Sequence, residues 1–380
     1  MTCGWSRRGC LAALASAPWA LRAAEPTDED DWRSLIEEER QRQQVPGVAV
    51  AVVRGEQPVW QHGSGLAHLD HGVPVQPATI FQSGSLGKQF TAVAVLLLVQ
   101  DGKLSLDDRL SRWWRVPAAW QRTTVRHLLT HTAGLAEDYP PALLNFQRDY
   151  SDSELLRLAL RIPLVATPGA RWQYSNVGFV LLGLLLNQVG GRFYGELLQE
   201  RVFAPLGMRT ARIIDDTAIV QHRAAGYRLD PQRPGLLRMH EWVSPSMNRT
   251  ADGSVYVSIE DLAAWDAGVR RGALLRPDLW QQAFDRARLN DGRRADYGLG
   301  WFLDADGARR RRHHDGQWQG FTSWWGWYPD ENLSVGVLMN LAEGDPQRLG
   351  ERLVAAVTSS AARQALRPRQ RSAPRQPASV

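Results

Sequence analysis

Hydrophobic and polar positions divide the chain into two strand-like ends and a helix-like middle. Residues 28–44 form a charged, helix-prone stretch that Pro46-Gly47 breaks. The β-branched run "VAVAVV" (48–53), a turn around Gly55 and "PVWQHGSG" (58–65) then predict a hairpin. The far end mirrors it: "TSWWGWYP" (322–329), the turn "DEN" (330–332) and "LSVGVLMNL" (333–341) predict two more paired strands. A helix from about Pro346 to Ala361 closes the pattern.

From about Phe90 to Trp280 the pattern is mostly helical, punctuated at Gly134, Pro168-Gly169, Gly190-Gly191 and Pro205-Leu206-Gly207. The runs "FTAVAVLLLV" (90–99) and "FVLLGLLL" (179–186) are too short to cross a bilayer and predict buried helices. Strands at both ends with helices between them predict an α/β (α+β) protein. Its antiparallel sheet is assembled from both chain ends, flanked by helices, and carries a large, mostly helical domain. The sheet region covers about 25–84 and 290–360, the helical region about 85–289, and a site belongs in the cleft between them.

Composition adds a compartment. Arg7 and Arg8 precede an apolar stretch from Cys10 to Leu21 and small residues at Ala23 and Ala24, the order of an export signal over 1–24. "SRRGCL" is similar to a twin-arginine signal, although the general secretory route fits as well. The expected location is therefore periplasmic or secreted. Both cysteines, Cys3 and Cys10, leave with such a signal, so the mature chain has no disulfide and no thiol nucleophile. The net charge of +5 and the basic, proline-rich end at 361–380 allow weak association with an anionic envelope surface, although a solvated, disordered tail is the simpler reading. No basic module interleaved with aromatics points to nucleic acid. Most of the 16 tryptophans are expected to fill cores.

The candidate chemistry starts at "SLGK" (85–88). Of 45 basic residues only two are lysines, Lys88 and Lys103, against 43 arginines. Arginine stays protonated in proteins, whereas a desolvated lysine can lose its proton and activate a serine. If Ser85 opens the helix of the 90–99 run, Lys88 lies one turn on, on the same face, and the serine N–H faces outward to hold an oxyanion.

Two further runs give these four letters a context. "PGARWQYSNVGFVLLG" contains Tyr174-Ser175-Asn176, and "HHDGQWQGF" contains His314-Asp315-Gly316. In order and spacing, the three elements resemble the signatures of the serine β-lactamase and penicillin-binding protein superfamily, closest to its class C-like branch of esterases, D-aminopeptidases and D,D-peptidases. "LLTHTAGL" (128–135), "APLGM" (204–208) and "YGLGW" (297–301) look like that group too, and the similarity covers about Val45 to Val357.

This resemblance implies a β-lactamase/transpeptidase-like fold and an acyl-enzyme on Ser85. Lys88 would accept the serine proton or hold Tyr174 as a phenolate, and Tyr174 would shuttle protons and activate the deacylating water. Asn176 would bond Lys88 and the substrate amide. The backbone N–H groups of Ser85 and Gln317 would form the oxyanion hole. His314 would be catalytic, with Asp315, Gly316 and Trp318 contacting a small-molecule or peptide substrate, and no cofactor or metal is implied. Taken singly, Tyr174 also reads as a core tyrosine and Asn176 as a helix cap.

The third element departs from the pattern, because His314 stands where penicillin-binding enzymes usually carry lysine, and Asp315 adds negative charge. This favours an esterase or a hydrolase of D-amino-acid or peptide amides over a class C-like β-lactamase or D,D-carboxypeptidase. A slow acyl-binding or sensing envelope protein is the alternative of another class. His127 and His131, four apart, have the spacing of zinc ligands but lack the glutamate of a metalloprotease. The run "RRRR" (309–312) follows "DADG", expected as a hairpin tip, and reads as a solvated turn. Strand alternation would put Arg310, Arg312 and His314 on one face, where they could attract acidic substrates.

Overall fold

A computed structural model describes residues 28–366, so the export signal expected at 1–24 and the part of the expected tail beyond residue 366 lie outside the described residues. The central element is a seven-stranded antiparallel sheet. Its strands are β1 (Gly47–Arg54), β2 (Gln57–His68), β3 (Val73–Pro74), β4 (Phe302–Asp306), β5 (Arg309–Trp318), β6 (Phe321–Tyr328) and β7 (Leu333–Met339), in the spatial order β3-β2-β1-β7-β6-β5-β4. The two chain ends meet where β1 pairs with β7, from Val48 opposite Met339 to Arg54 opposite Leu333. The sheet thus joins both termini, as the strand pattern predicts.

The unbroken apolar run of β1 has a physical cause. Antiparallel sheets commonly leave one face in water, which gives alternating polarity. Here both faces are covered. Ala49, Ala51 and Val53 enter the large core beneath the helical region, while Val48, Val50 and Val52 enter a second core. Helices α1 (Asp28–Arg42) and the C-terminal helix (Pro346–Leu366) cover that second face. Each fully buried valine contributes about 1.5–3 kcal/mol. The C-terminal helix runs to Leu366, past the residue 361 at which a disordered tail was expected.

The helices that position the site are α2 (Lys88–Gln100) and α3 (Asn176–Gly190), packed on one another. Both are apolar on every side, which is the signature of a helix with no solvent face. Asp101-Gly102 ends α2, with Gly102 at φ +71° and Lys103 N–H donating to Leu98 O (3.0 Å). Gly191 at φ +70° ends α3 in the same left-handed manner.

The middle of the chain is less helical than expected. Long loops separate its helices, and it contains a three-stranded sheet of Phe81–Gln82, Val255–Val257 and Arg212–Ile213, plus a hairpin of Tyr227–Leu229 with Leu237–Met239. Its loops are tied across long sequence distances, as in Gly169 N–H to Thr132 O (2.7 Å) and Asn290 N–H to Gly169 O (2.8 Å). Such pairings leave no periodic trace. Among the described residues no single helix is long and apolar enough to cross a membrane.

Candidate active site

Ser85 lies in a tight 3-10 turn, Gly84–Gly87, that leads directly into α2, so the helix proper starts three residues later than expected. Glycine is required here by close approach. A Cβ at Gly84, where φ is +52°, would lie 2.4 Å from Gln317 N, and one at Gly316 would lie 2.0 Å from Ser83 O. Ser323 Oγ donates to Ser83 O (2.6 Å) and fastens the turn to β6. As a first-turn residue, Ser85 has no intrahelical partner for its N–H.

Lys88 is fully buried, with Nζ donating to Ser85 Oγ (2.9 Å), Asn176 Oδ1 (2.7 Å) and Asp252 O (2.5 Å). Burial lowers its pKa to about 8, against the opposing pull of Asp252, Asp138, Asp315 and Glu137. An ammonium group has three hydrogens, one for each of these acceptors. Once deprotonated it keeps two donors, and its lone pair turns toward Ser85.

Ser175 caps α3, accepting from Gly178 N–H (3.2 Å) and donating to Ala136 O (2.7 Å). The cap is therefore Ser175 and not Asn176. This frees the Asn176 amide to bridge Lys88 through Oδ1 and Asp138 through Nδ2 (2.9 Å). Tyr174 precedes the cap and lies beside Ser85, with its ring face under Lys88 Nζ, 5.0 Å from the centroid. Its phenol is pushed up well above 10 by burial and by the carboxylates of Asp315, Asp252 and Glu137. The expectation that a nearby cation lowers Tyr174 is thereby corrected: the cation sits over the ring face, and burial outweighs it.

The third element separates into two faces. Asp315, Gln317 and Trp318 line the site, with Trp318 Nε1 donating to Asn248 Oδ1 (2.9 Å). Gln319 (φ +44°) and Gly320 (φ +83°) form a two-residue turn between β5 and β6. Such a turn closes on a doubly bonded pair, here Trp318 with Phe321. Alternation then leaves the Gln317 N–H turned away from β6, toward the Ser85 turn.

His314, expected among the catalytic residues, does not reach the cavity. It is fully buried, Nδ1 donates to Asp315 O (2.6 Å), and Nε2 therefore accepts from the Tyr297 hydroxyl (2.9 Å). Burial lowers its pKa to about 4, which keeps it neutral. Gly316, expected to touch substrate, instead lets β5 press against Ser83.

These groups surround a cavity of about 580 Å³ between the sheet and the helical region. A family model described as Beta-lactamase matches residues 32–359. The chain belongs to the Beta-lactamase family. Among curated relatives, it is 27% identical over 82% of its length to penicillin-binding protein 4* of Bacillus subtilis, covering 71% of that protein. It is 30% identical over 79% of its length to a D-aminopeptidase of Brucella anthropi, of which it spans only 57%. Among solved structures, an octameric penicillin-binding protein homologue from Pyrococcus abyssi superposes with a TM-score of 0.76 at 26% identity, over 88% of this chain and 78% of that one. The D-amino acid amidase of Ochrobactrum anthropi SV3, with a TM-score of 0.75 at 24% identity over 88% and 99% of the two chains, shares the fold.

In this member of the Beta-lactamase family, several residues at the site escaped the sequence reading. Glu137, Asp138 and Asp252 line the cavity with Asp315, and the half-buried Asp252 has its carboxyl pKa raised by desolvation. No motif marks them, because they come from loops. Tyr297 lies in the noted run "YGLGW", yet only the fold shows that it holds His314. His127 and His131 do not share a helical face: His127 Nδ1 accepts from Thr124 N–H (3.2 Å) as a cap, while His131 Nδ1 accepts from Ser175 N–H (3.1 Å). The imidazole of His131 stacks on Tyr174 with centroids 4.3 Å apart. The run 309–312 is part of β5 and not a solvated turn, with Arg311 buried against Asp304 and Glu351.

Proposed function

We propose that this protein is a serine hydrolase that forms an acyl-enzyme on Ser85 and prefers amides or esters whose acyl part carries an ammonium group. D-aminoacyl amides and peptides are the preferred class. One observation carries the reading: a lysine amine with a pKa lowered to about 8 touches a serine, in a cavity walled by Glu137, Asp138, Asp252 and Asp315. The amine supplies the base, and the carboxylates favour a cationic substrate over an anionic one.

In the acylation step the Ser85 O–H bond breaks, its proton passes to the Lys88 lone pair, and Oγ bonds to the substrate carbonyl carbon. The oxyanion faces the N–H groups of Ser85 and Gln317. When the intermediate collapses, the C–N or C–O bond breaks and the leaving group takes the proton back from Lys88 by way of the Tyr174 hydroxyl. Tyr174 suits this relay because it stays protonated. Water then attacks the ester carbonyl as Lys88 accepts its proton; the C–Oγ bond breaks, Ser85 Oγ takes that proton back from Lys88, and the carboxylic acid leaves.

The 30% identical D-aminopeptidase supports an amine-bearing substrate, and the order of residues 1–24 supports export to the periplasm or beyond. A panel of D-alanine p-nitroanilide, its L form, p-nitrophenyl acetate and nitrocefin, run beside Ser85→Ala, tests the chemistry. Fastest turnover of the D-aminoacyl anilide, lost in Ser85→Ala, is the expected result; equal rates in the variant would remove Ser85 from the reaction. Fractionation of cells expressing the full chain or residues 25–380 tests the export signal.

A further inference from the structure

Three of the four consecutive arginines in β5 are neutralised by carboxylates. Arg309 pairs with Asp306 (3.6 Å) and Glu331 (3.8 Å), Arg310 with Asp330 (2.5 Å), and Arg311 with Asp304 and Glu351 (2.6 Å each). Arg312 differs. Among the described residues its side chain has no ion pair and no hydrogen bond, and its guanidinium sits in the corner of two roughly perpendicular aromatic rings, 3.9 Å from the Phe284 centroid and 4.5 Å from that of Trp327. Trp327 is its cross-strand partner on β6, so the sheet itself sets one wall of this corner, and Phe284, at the end of the helix Pro277–Ala283, sets the other.

Ring contacts offer the guanidinium no oxygen or nitrogen acceptor. Its five N–H bonds lie in the plane and still need acceptors. They border a cleft of about 490 Å³ that Trp280, Phe284 and Trp327 wall and that shares no lining residue with the Ser85 cavity. The neighbouring Arg270 is already spent, on Asp266 (2.6 Å), Asn332 (2.7 Å) and Ser334 (2.7 Å). Asp285 also lines the cleft and opposes a second negative charge on any ligand.

We infer that this cleft is a second ligand site, which binds a small carboxylate with an aromatic or apolar body, its carboxylate on the in-plane donors of Arg312 and its body against Trp280 and Phe284. Arg271, which also lines the cleft, is paired with Glu56 (3.5 Å), so one unpaired cation beside the Asp285 carboxylate favours a monoanion over a phosphate dianion. The aromatic walls select an apolar body over a hydrated one. A planar fork matches a carboxylate with two parallel bonds, so binding needs no rearrangement of the aromatic corner.

The test is calorimetric titration of the full chain with phenylacetate, phenyl phosphate and benzyl alcohol, with tryptophan fluorescence as a second readout. Phenylacetate is expected to bind saturably, with benzyl alcohol weaker by at least about tenfold, the loss of one charge-assisted contact. Phenyl phosphate is expected to bind more weakly than phenylacetate. Arg312→Gln is expected to lose about tenfold or more in affinity. Because Arg312→Gln also disturbs packing, Asp285→Asn at the exposed rim gives an independent arm, and a several-fold tightening is expected there. Unchanged phenylacetate affinity in Arg312→Gln, no tightening in Asp285→Asn, or no saturable binding up to about 10 mM overturns the assignment.

Discussion

Lys88 Nζ donates to Asn176 Oδ1 at 2.7 Å, and this bond decides which side of the amine is left for Ser85. The amide cannot turn over, because its Nδ2 is held by Asp138. With a second donor fixed on Asp252 O, the third position of the amine points at the serine.

Replacing Lys88 by arginine keeps the charge and removes the base. Turnover of D-alanine p-nitroanilide is expected to fall by about 10²–10⁴-fold, the usual contribution of a positioned proton acceptor. Steady-state kinetics with an intact fold, checked by circular dichroism, measures it. A Lys88→Arg protein as fast as its parent means that the amine is not the base.

The lowered pKa sets the pH dependence. Lys88 must be neutral to accept a proton, so kcat/KM is expected to rise with pH and level off above an apparent pKa near 8. Tyr174 keeps its proton across this range, since burial pushes it upward. Tyr174→Phe is therefore expected to lower kcat while leaving the rising limb in place. A limb that vanishes in Tyr174→Phe assigns the ionisation to the phenol instead.

Asp315 faces the cavity beside Ser85 and Gln317, the proposed oxyanion donors. Asp315→Thr removes a negative charge and is expected to improve the hydrolysis of nitrocefin, which carries a carboxylate, and to raise KM for the cationic anilide. The two substrates should move in opposite directions. A common shift for both means that Asp315 acts through packing rather than charge.

Glu39 joins the two ends of the chain. Its buried carboxylate meets Arg42 (2.6 Å), Arg348 (3.3 Å) and Arg352, which ties α1 to the C-terminal helix. Burial pushes its pKa up, but hydrogen bonds from Arg42, Gln43 and Arg352 outweigh this and hold it at about 2, below the ordinary 4.5. The stability it contributes is complete above about 4.5 and is lost as pH falls through about 2. Glu39→Gln is expected to cost about 1–3 kcal/mol at neutral pH, in the range of hydrogen bonds to charged groups. The arginines, each a third or more exposed, can rehydrate and limit the loss. Urea unfolding at pH 7 and pH 3 measures both effects, and a smaller difference between variant and parent at the lower pH is the expected sign.

The sequence revealed the parts whose cause is local. "VAVAVV" and "LSVGVLMNL" identified the two strands that join the chain ends, and "FTAVAVLLLV" the buried helix behind Ser85, because burial on every side writes itself as an unbroken apolar run. The contrast of one lysine with its arginine-rich surroundings pointed to a group able to lose its charge. The spacing of Ser85 and Lys88 already placed them within reach of each other.

Other features depend on residues that approach from far along the chain. His314 looked like a site residue from its neighbours in sequence, but Tyr297 and the backbone of Asp315 consume both ring nitrogens. Tyr174 looked like a candidate phenolate beside a cation, but packing put that cation over the ring and carboxylates from β5 and two loops around it. Likewise, four identical arginines became three neutral pairs and one unsatisfied guanidinium only when β4, β6 and the C-terminal helix closed around β5. The residue types determined which chemistry the chain could perform. Tertiary packing decided the protonation states and which donors remained free, because both depend on desolvation and on partners that sequence neighbours do not supply.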